Sequence, residues 1–236
     1  MAKKKRKRNV EPEKKPNKNL LYAAIAVVAV IIVALIWSFL GSSPDVPEEK
    51  IPTSGIFLKI NEPSTYEPGK VKIIEYFKFN CDHCYSLNKQ VPELEEKYGD
   101  QLEITYRPML WVTNSGDQQF RKSIEAYIIA ERMEKGDEMK SALFDAMFME
   151  RKDLSDVAVL EEIASSIGLG DDFATALENG DARDKAQEYI NLAQPLVSET
   201  PTIIINGNLK VTPTMTGGGI DQMVANMDTI IGSLLS

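Results

Sequence analysis

Apolar and polar positions follow three different rhythms along this chain, and each predicts a different kind of element. From Leu20 to Leu40 no charged residue interrupts the apolar run. A helix of that length is about 30 Å long, the thickness of a bilayer core. Tyr22 and Trp37 fall near its two ends, where amphipathic rings favour the membrane interface. A buried helix of a soluble domain would carry a polar stripe, and this stretch has none. Residues 20–40 are therefore expected to form a transmembrane signal anchor. Residues 41–55 hold Pro44, Pro47 and Pro52 with several acids and no apolar period, and they read as a linker.

The remaining rhythms belong to residues 56–236. Val71 to Phe79 is rich in β-branched and aromatic residues, as a buried strand requires. Leu87, Val91, Leu94 and Tyr98 then recur at helical spacing, so Cys81 to Tyr98 predicts a helix, with a kink expected at Pro92. Gly99-Asp100 closes it, and Leu102 to Leu110 predicts a second strand, parallel to the first through a right-handed crossover. A helical block follows at about 115–196. Its apolar stripes are Phe120, Ile124, Tyr127, Ile128 and Met133; then Leu143, Phe144, Met147 and Phe148; then Val157, Leu160, Ile163, Ala164 and Ile167. A last run from Asp171 carries Phe173 and Leu177 and breaks at Asn179-Gly180. Beyond Pro201 the period shortens: Thr202 to Ile205 and Asn208 to Val211, joined by Asn206-Gly207, predict a β-hairpin. Ile220, Met223, Val224, Met227, Ile230, Ile231 and Leu234 mark one face of a final helix. The expected class is α/β: βαβ, an all-helical insertion, then ββα, preceded by one N-terminal transmembrane helix.

Charge adds the orientation. The whole chain carries -8, yet residues 1–19 hold nine Lys/Arg against two Glu, which leaves -15 for residues 20–236. Only Lys50 is basic between Gly41 and Phe57. The positive-inside rule then keeps residues 1–19 as a basic cytoplasmic tail and sends the domain outward. The run from Lys3 to Arg8 has the look of a nuclear localisation patch, but an apolar span directly after it favours a topogenic role. A cleaved signal peptide would have an apolar core of only ~7–15 residues, and Gly41-Ser42-Ser43 is a poor cleavage site. The expected location is the cell membrane, single-pass, in contact with the bilayer through residues 20–40. An acidic body argues against a nucleic-acid partner.

The chemistry concentrates in four residues. Both cysteines and the only histidine lie in Cys81-Asp82-His83-Cys84, between a predicted strand and a predicted helix. A thiol at a helix N-terminus meets the positive end of the macrodipole and free amide N–H groups, which favour the thiolate. A protonated His83 would add positive charge in the same turn, whereas Asp82 works against it. Two intervening residues bring Cys84 within disulfide reach of Cys81. Thiol–disulfide exchange fits this arrangement, with Cys81 as nucleophile and Cys84 as resolving thiol. A disulfide closing so short a loop would stabilise the fold little, so a purely structural bridge is disfavoured. Zinc would need ligands beyond the three that the motif offers, which only a dimer could supply. A copper carrier would want a distal histidine, and the chain has no second one. No metal and no cofactor beyond the redox-active disulfide are expected. Gly217-Gly218-Gly219 lacks the spacing and the Lys of a phosphate loop and reads as a connection.

The segment Glu75-Tyr76-Phe77-Lys78-Phe79-Asn80-Cys81-Asp82-His83-Cys84-Tyr85 resembles the DsbA-like thiol–disulfide oxidoreductases, as does Glu199-Thr200-Pro201-Thr202-Ile203-Ile204-Ile205-Asn206-Gly207. Gly168-Leu169 followed by Phe173, Leu177, Gly180 and Asp181 is similar to the family's insertion helices. The resemblance runs from about Phe57 to Leu235. It implies a thioredoxin-like fold with an inserted helical domain, and a cis-proline loop at Thr200-Pro201 that lines the peptide-binding surface. It also implies that Glu75 is a buried acid near the disulfide, suited to relaying a proton to Cys84. Asp82 departs from the proline found there in the family's commonest oxidant, which bears on redox potential and not on class. The activity implied is the introduction of disulfides into exported cysteine-containing polypeptides, with a membrane quinone-linked thiol oxidase as recharging partner. A reductase or isomerase of the same fold is the alternative within redox chemistry. A non-catalytic thioredoxin-fold binding module or chaperone is the alternative outside it.

Overall fold

The computed structural model describes residues 27–34 and 49–236. Residues 27–34 are helical and exposed, and they belong to a different unit from the one that begins at Pro47. Among the described residues no helix is long and apolar enough to cross a membrane. The rest of the expected anchor, within 20–40, and the basic tail lie outside the described residues.

The second unit is built on a five-stranded sheet in the order β1 (Leu58–Lys59), β5 (Leu209–Val211), β4 (Thr202–Ile205), β2 (Val71–Phe77), β3 (Leu102–Pro108). Only β2 and β3 run parallel; the other neighbours are antiparallel. The parallel pair is joined by helix α1 (Asp82–Tyr98), and the antiparallel β4–β5 pair by the Asn206-Gly207 turn. Both turn residues have positive φ, 47° and 83°, as the tight hairpin demands. A Cβ on Gly207 would also run into the carbonyl of Pro63, so glycine is required there twice over.

Between β3 and β4 lie the helices α2 (Ser115–Gln118), α3 (Arg121–Arg132), α4 (Gly136–Phe148), α5 (Val157–Ser166), α6 (Asp171–Asn179) and α7 (Arg183–Ala193). Gly180, in the left-handed conformation, separates the last two. Helix α8 (Ile220–Leu235) closes the chain.

Strand β2 explains how one sheet serves two cores. Val71 and Ile73 pack with Leu87, Val91 and Leu94 of α1 and with Met223, Met227 and Ile230 of α8. Further along the same face, Phe77 packs instead with Tyr127, Leu143 and Phe144 of the insertion. On the opposite face Tyr76 meets Met109, Ala193 and Ile204. The end of β2 is therefore buried from both sides, and it is there that the chain turns into Cys81.

Several boundaries differ from the sequence expectation. β2 stops at Phe77 and β3 at Pro108; a last bond from Met109 N–H to the Phe77 carbonyl closes the ladder at 2.8 Å, and Cys81 N–H then donates back to the Lys78 carbonyl in a turn. Helix α1 begins at Asp82 with Cys81 as its N-cap, and it contains Pro92 as expected. Residues 49–55, read from sequence as the end of a linker, are fastened to the domain: Thr53 N–H donates to Ser233 Oγ at 2.8 Å, and Glu49 accepts from Lys59 and Asn208 at 2.6 Å each. Pairing of Leu58 and Lys59 with β5 adds an edge strand that two residues could not announce.

Candidate active site

Cys81 is the N-cap of α1, with extended backbone, and its sulfur accepts the Cys84 N–H at 3.1 Å. That amide is one of the donors that a helix start leaves without a carbonyl partner. The two cysteines form a disulfide with Cα atoms 5.2 Å apart. They are not equivalent: Cys81 retains 9% exposure, whereas Cys84 has none. An incoming thiolate therefore meets the Cys81 sulfur first. Asp82 and His83 are both exposed. The Asp82 carboxylate accepts the His83 N–H at 2.9 Å, so it shares the amide donors that would otherwise all serve the sulfur.

Facing this turn is the loop before β4. Its Thr200–Pro201 peptide bond is cis, and the Thr200 carbonyl oxygen lies 3.4 Å from Cys81 Sγ. Two bonds hold the loop: Thr202 Oγ1 donates to the Glu199 carbonyl, and Thr214 Oγ1 donates to the Glu199 carboxylate, both at 2.7 Å. Proline at 201 offers no N–H, so a backbone placed against Thr200 competes with no ring donor.

Beneath the disulfide the surroundings are aromatic. Phe77 and Phe79 meet edge-on at 5.2 Å, and Phe144 lies 5.6 and 5.3 Å from them. Tyr85 follows Cys84 and stacks on Phe148 at 4.9 Å. Glu75 sits within this apolar region on β2, 3% exposed, beside Tyr106 in the β2–β3 register. Burial raises its carboxyl to about 7, opposed by the ammonium of Lys140 and reinforced by the Glu95 carboxylate.

Each residue that the sequence singled out thus has a definite place. Cys81, Cys84, Asp82, His83, Thr200 and Pro201 share the turn and the facing loop, and Glu75 lies on the strand that leads into the turn. Among the described residues no group of three or more His, Cys, Asp or Glu could hold a metal ion.

Two neighbours were not anticipated. Asp117, 4% exposed, accepts from Lys78 Nζ at 2.8 Å and from the Trp111 N–H at 3.1 Å, tying the redox turn to the start of the insertion. No sequence signal marks it. Lys140 does carry one: it precedes Leu143 by three and Phe144 by four, which puts a lysine on the buried stripe of α4.

A sequence-family profile described as "DSBA-like thioredoxin domain" matches residues 72–225. The thiol:disulfide interchange protein DsbA of Bordetella pertussis is 22% identical over 178 residues, covering 74% of this chain and 82% of that relative. The DsbA of Pseudomonas syringae is 25% identical over 153 residues, covering 64% and 69%. Among solved structures, DsbA of Pseudomonas aeruginosa superposes with a TM-score of 0.61 at 18% identity, covering 75% of this chain and 91% of that one. DsbA of Xylella fastidiosa gives 0.61 at 20%, covering 78% and 97%. At such identities the structural likeness speaks for the fold.

Proposed function

This chain belongs to the DSBA-like thioredoxin domain family and is a protein-disulfide oxidoreductase, and on that premise we propose that it donates the Cys81–Cys84 disulfide to exported polypeptides. The observation that carries this reading is the asymmetry of the two sulfurs, with Cys81 keeping 9% exposure beside Thr200 and Cys84 fully enclosed.

In the reaction a substrate thiolate attacks Cys81 Sγ. The Cys81–Cys84 bond breaks, its electron pair leaves with Cys84, and a mixed disulfide forms. Glu75, protonated at and below about neutral pH, gives its proton to the Cys84 thiolate. A second substrate thiolate then attacks the substrate sulfur of the mixed disulfide and expels Cys81 as thiolate. The substrate loses two electrons and gains a disulfide; the enzyme gains them as a dithiol. Cys81 is a good leaving group because the Cys84 N–H and the helix N-terminus stabilise its negative charge. His83 adds to that effect when protonated, and Asp82 reduces it. The Thr200-Pro201 loop holds the substrate backbone.

No cofactor takes part beyond the disulfide itself. Recharging needs an oxidant, and a membrane quinone-linked thiol oxidase supplies the right two-electron chemistry. The uncharged stretch 20–40 after a basic tail supports a single-pass anchor with the catalytic domain outside the cytoplasm.

One experiment tests side and chemistry together. A reduced, unfolded dithiol protein added outside spheroplasts should become oxidised when the protein is present, and remain reduced with Cys81→Ser. Oxidation seen only after lysis would overturn the topology, and none after lysis would overturn the oxidase reading.

A further inference from the structure

Glu75 is the buried acid on the catalytic strand, but the positive charge that acts on it does not come from the sheet or from α1. It comes from the helical insertion. Lys140, on α4, is 6% exposed, and its Nζ lies 3.0 Å from the centre of the Tyr106 ring. Tyr106 is the β3 residue in register with Glu75. Its hydroxyl donates to Glu95 of α1 at 3.4 Å. Asp137, one helical turn before Lys140, places a carboxylate 4.0 Å from the ammonium but is largely exposed. The charged and titratable groups that face Glu75 are therefore Lys140 from α4, Glu95 from α1 and Tyr106 from β3, with Asp137 acting on Lys140 and Tyr106.

A buried ammonium without a carboxylate in hydrogen-bond contact is expensive, and an apolar residue would suit the stripe of α4 better. A ring face offsets part of that cost through cation–π attraction. Position supplies the rest of the explanation. A small cavity of about 110 Å³ lies among Asn88, Pro92, Glu95, Tyr106, Asp137, Lys140 and Ser141. Pro92 has no N–H, so the Asn88 carbonyl has no helical partner and can accept from water there. A wider polar cleft shares Glu95, Tyr106 and Asp137 with this cavity and adds Glu131 and Glu134. Polar groups thus line a way from solvent to the Lys140 ammonium.

We infer that Lys140 is a positioning residue for proton transfer: its ammonium, delivered by the helical insertion, keeps Glu75 able to ionise beneath the disulfide. The insertion is then part of the proton-handling apparatus as well as a cover. The inference rests on the reading of Glu75 as the proton partner of Cys84. During reoxidation Cys84 passes its thiol proton to the Glu75 carboxylate and attacks Cys81 Sγ of a mixed disulfide, and the partner leaves as thiolate. That step needs Glu75 ionised, so it speeds up as pH rises through about 7. Burial favours the neutral acid, Lys140 favours the carboxylate, and removing Lys140 must push the midpoint higher.

The test uses the full-length protein carrying glutathione on Cys81, with release of glutathione by Cys84 followed from pH 5 to 9. Lys140→Met should raise the midpoint by about one pH unit, slowing release at pH 6 about tenfold. Lys140→Arg should restore the wild-type profile. A parallel ¹³C titration of the Glu75 carboxyl should show the same displacement. A folded Lys140→Met protein with an unchanged Glu75 titration overturns the inference. If the carboxyl titration moves but release does not, Lys140 governs Glu75 and the relay reading of Glu75 is what fails. Should Lys140→Met not fold, the unsubstituted protein decides: the Lys140 side-chain resonances must respond as Glu75 ionises, and their indifference overturns the inference equally.

Discussion

Cys84→Ala should turn this enzyme into a trap, accumulating mixed disulfides through Cys81, whereas Cys81→Ala should accumulate none. The expectation follows from what each sulfur can reach. Cys81 retains some exposure, lies 3.4 Å from the Thr200 carbonyl, and accepts an N–H from the first turn of α1. Cys84 has no exposure, so a bulky polypeptide thiolate cannot approach it. Without Cys84 there is no internal thiol to resolve the intermediate, and release waits on a second substrate thiol. Both variants should lose turnover to the level of uncatalysed exchange. Non-reducing electrophoresis after acid quenching reads the outcome directly. Adducts on Cys81→Ala in place of Cys84→Ala would reverse the assigned roles.

Phe144→Ala should be the most damaging substitution outside the redox turn. The ring lies 5.6 Å from Phe77, 5.3 Å from Phe79 and 6.0 Å from Tyr85, joining the insertion to the strand end and to the helix that carry the disulfide. Truncating a buried phenylalanine costs about 3–5 kcal/mol, from lost transfer free energy plus the cavity left behind. For a domain of this size each kcal/mol shifts Tm by roughly 2–4 °C, so a fall on the order of 10 °C is expected. Urea unfolding followed by circular dichroism measures it. A loss below 1 kcal/mol would mean that the insertion and the sheet do not share one core at this ring.

Much of this architecture is written locally. Asn206-Gly207 has the two positive φ values that its sequence demands, and the Leu87, Val91, Leu94 stripe faces the sheet as its spacing requires. The redox turn is legible for the same reason: strand, Cys-x-x-Cys and helix are consecutive, so the sequence itself places the sulfur at a helix N-terminus. What sequence cannot carry is the meeting of distant segments. Leu58–Lys59 becomes a strand only because β5 offers an edge, and residues 49–55 become part of the domain because Ser233 of α8, Lys59 and Asn208 offer partners. Pro92 lies within a continuous helix beside a small cavity whose other walls come from β3 and α4. Lys140 could have been noticed as a lysine on an apolar stripe, yet its neighbour Tyr106 is supplied by a strand more than thirty residues away. Asp117 is similar, since its meaning comes from Lys78 and from the backbone of Trp111.

The Cys81–Cys84 disulfide is one the protein gives away. The Cys84 N–H and the helix N-terminus stabilise the Cys81 thiolate, hence the reduced form, which makes the disulfide oxidising. Asp82 works in the opposite sense, by its charge and by taking the His83 amide for itself. The most direct measurement is the equilibrium between Cys81–Cys84 and glutathione redox buffers. The expected potential lies between about -270 mV, the thioredoxin value, and about -120 mV, the DsbA value. A potential at or below that of thioredoxin would contradict it, and would make the protein a reductase.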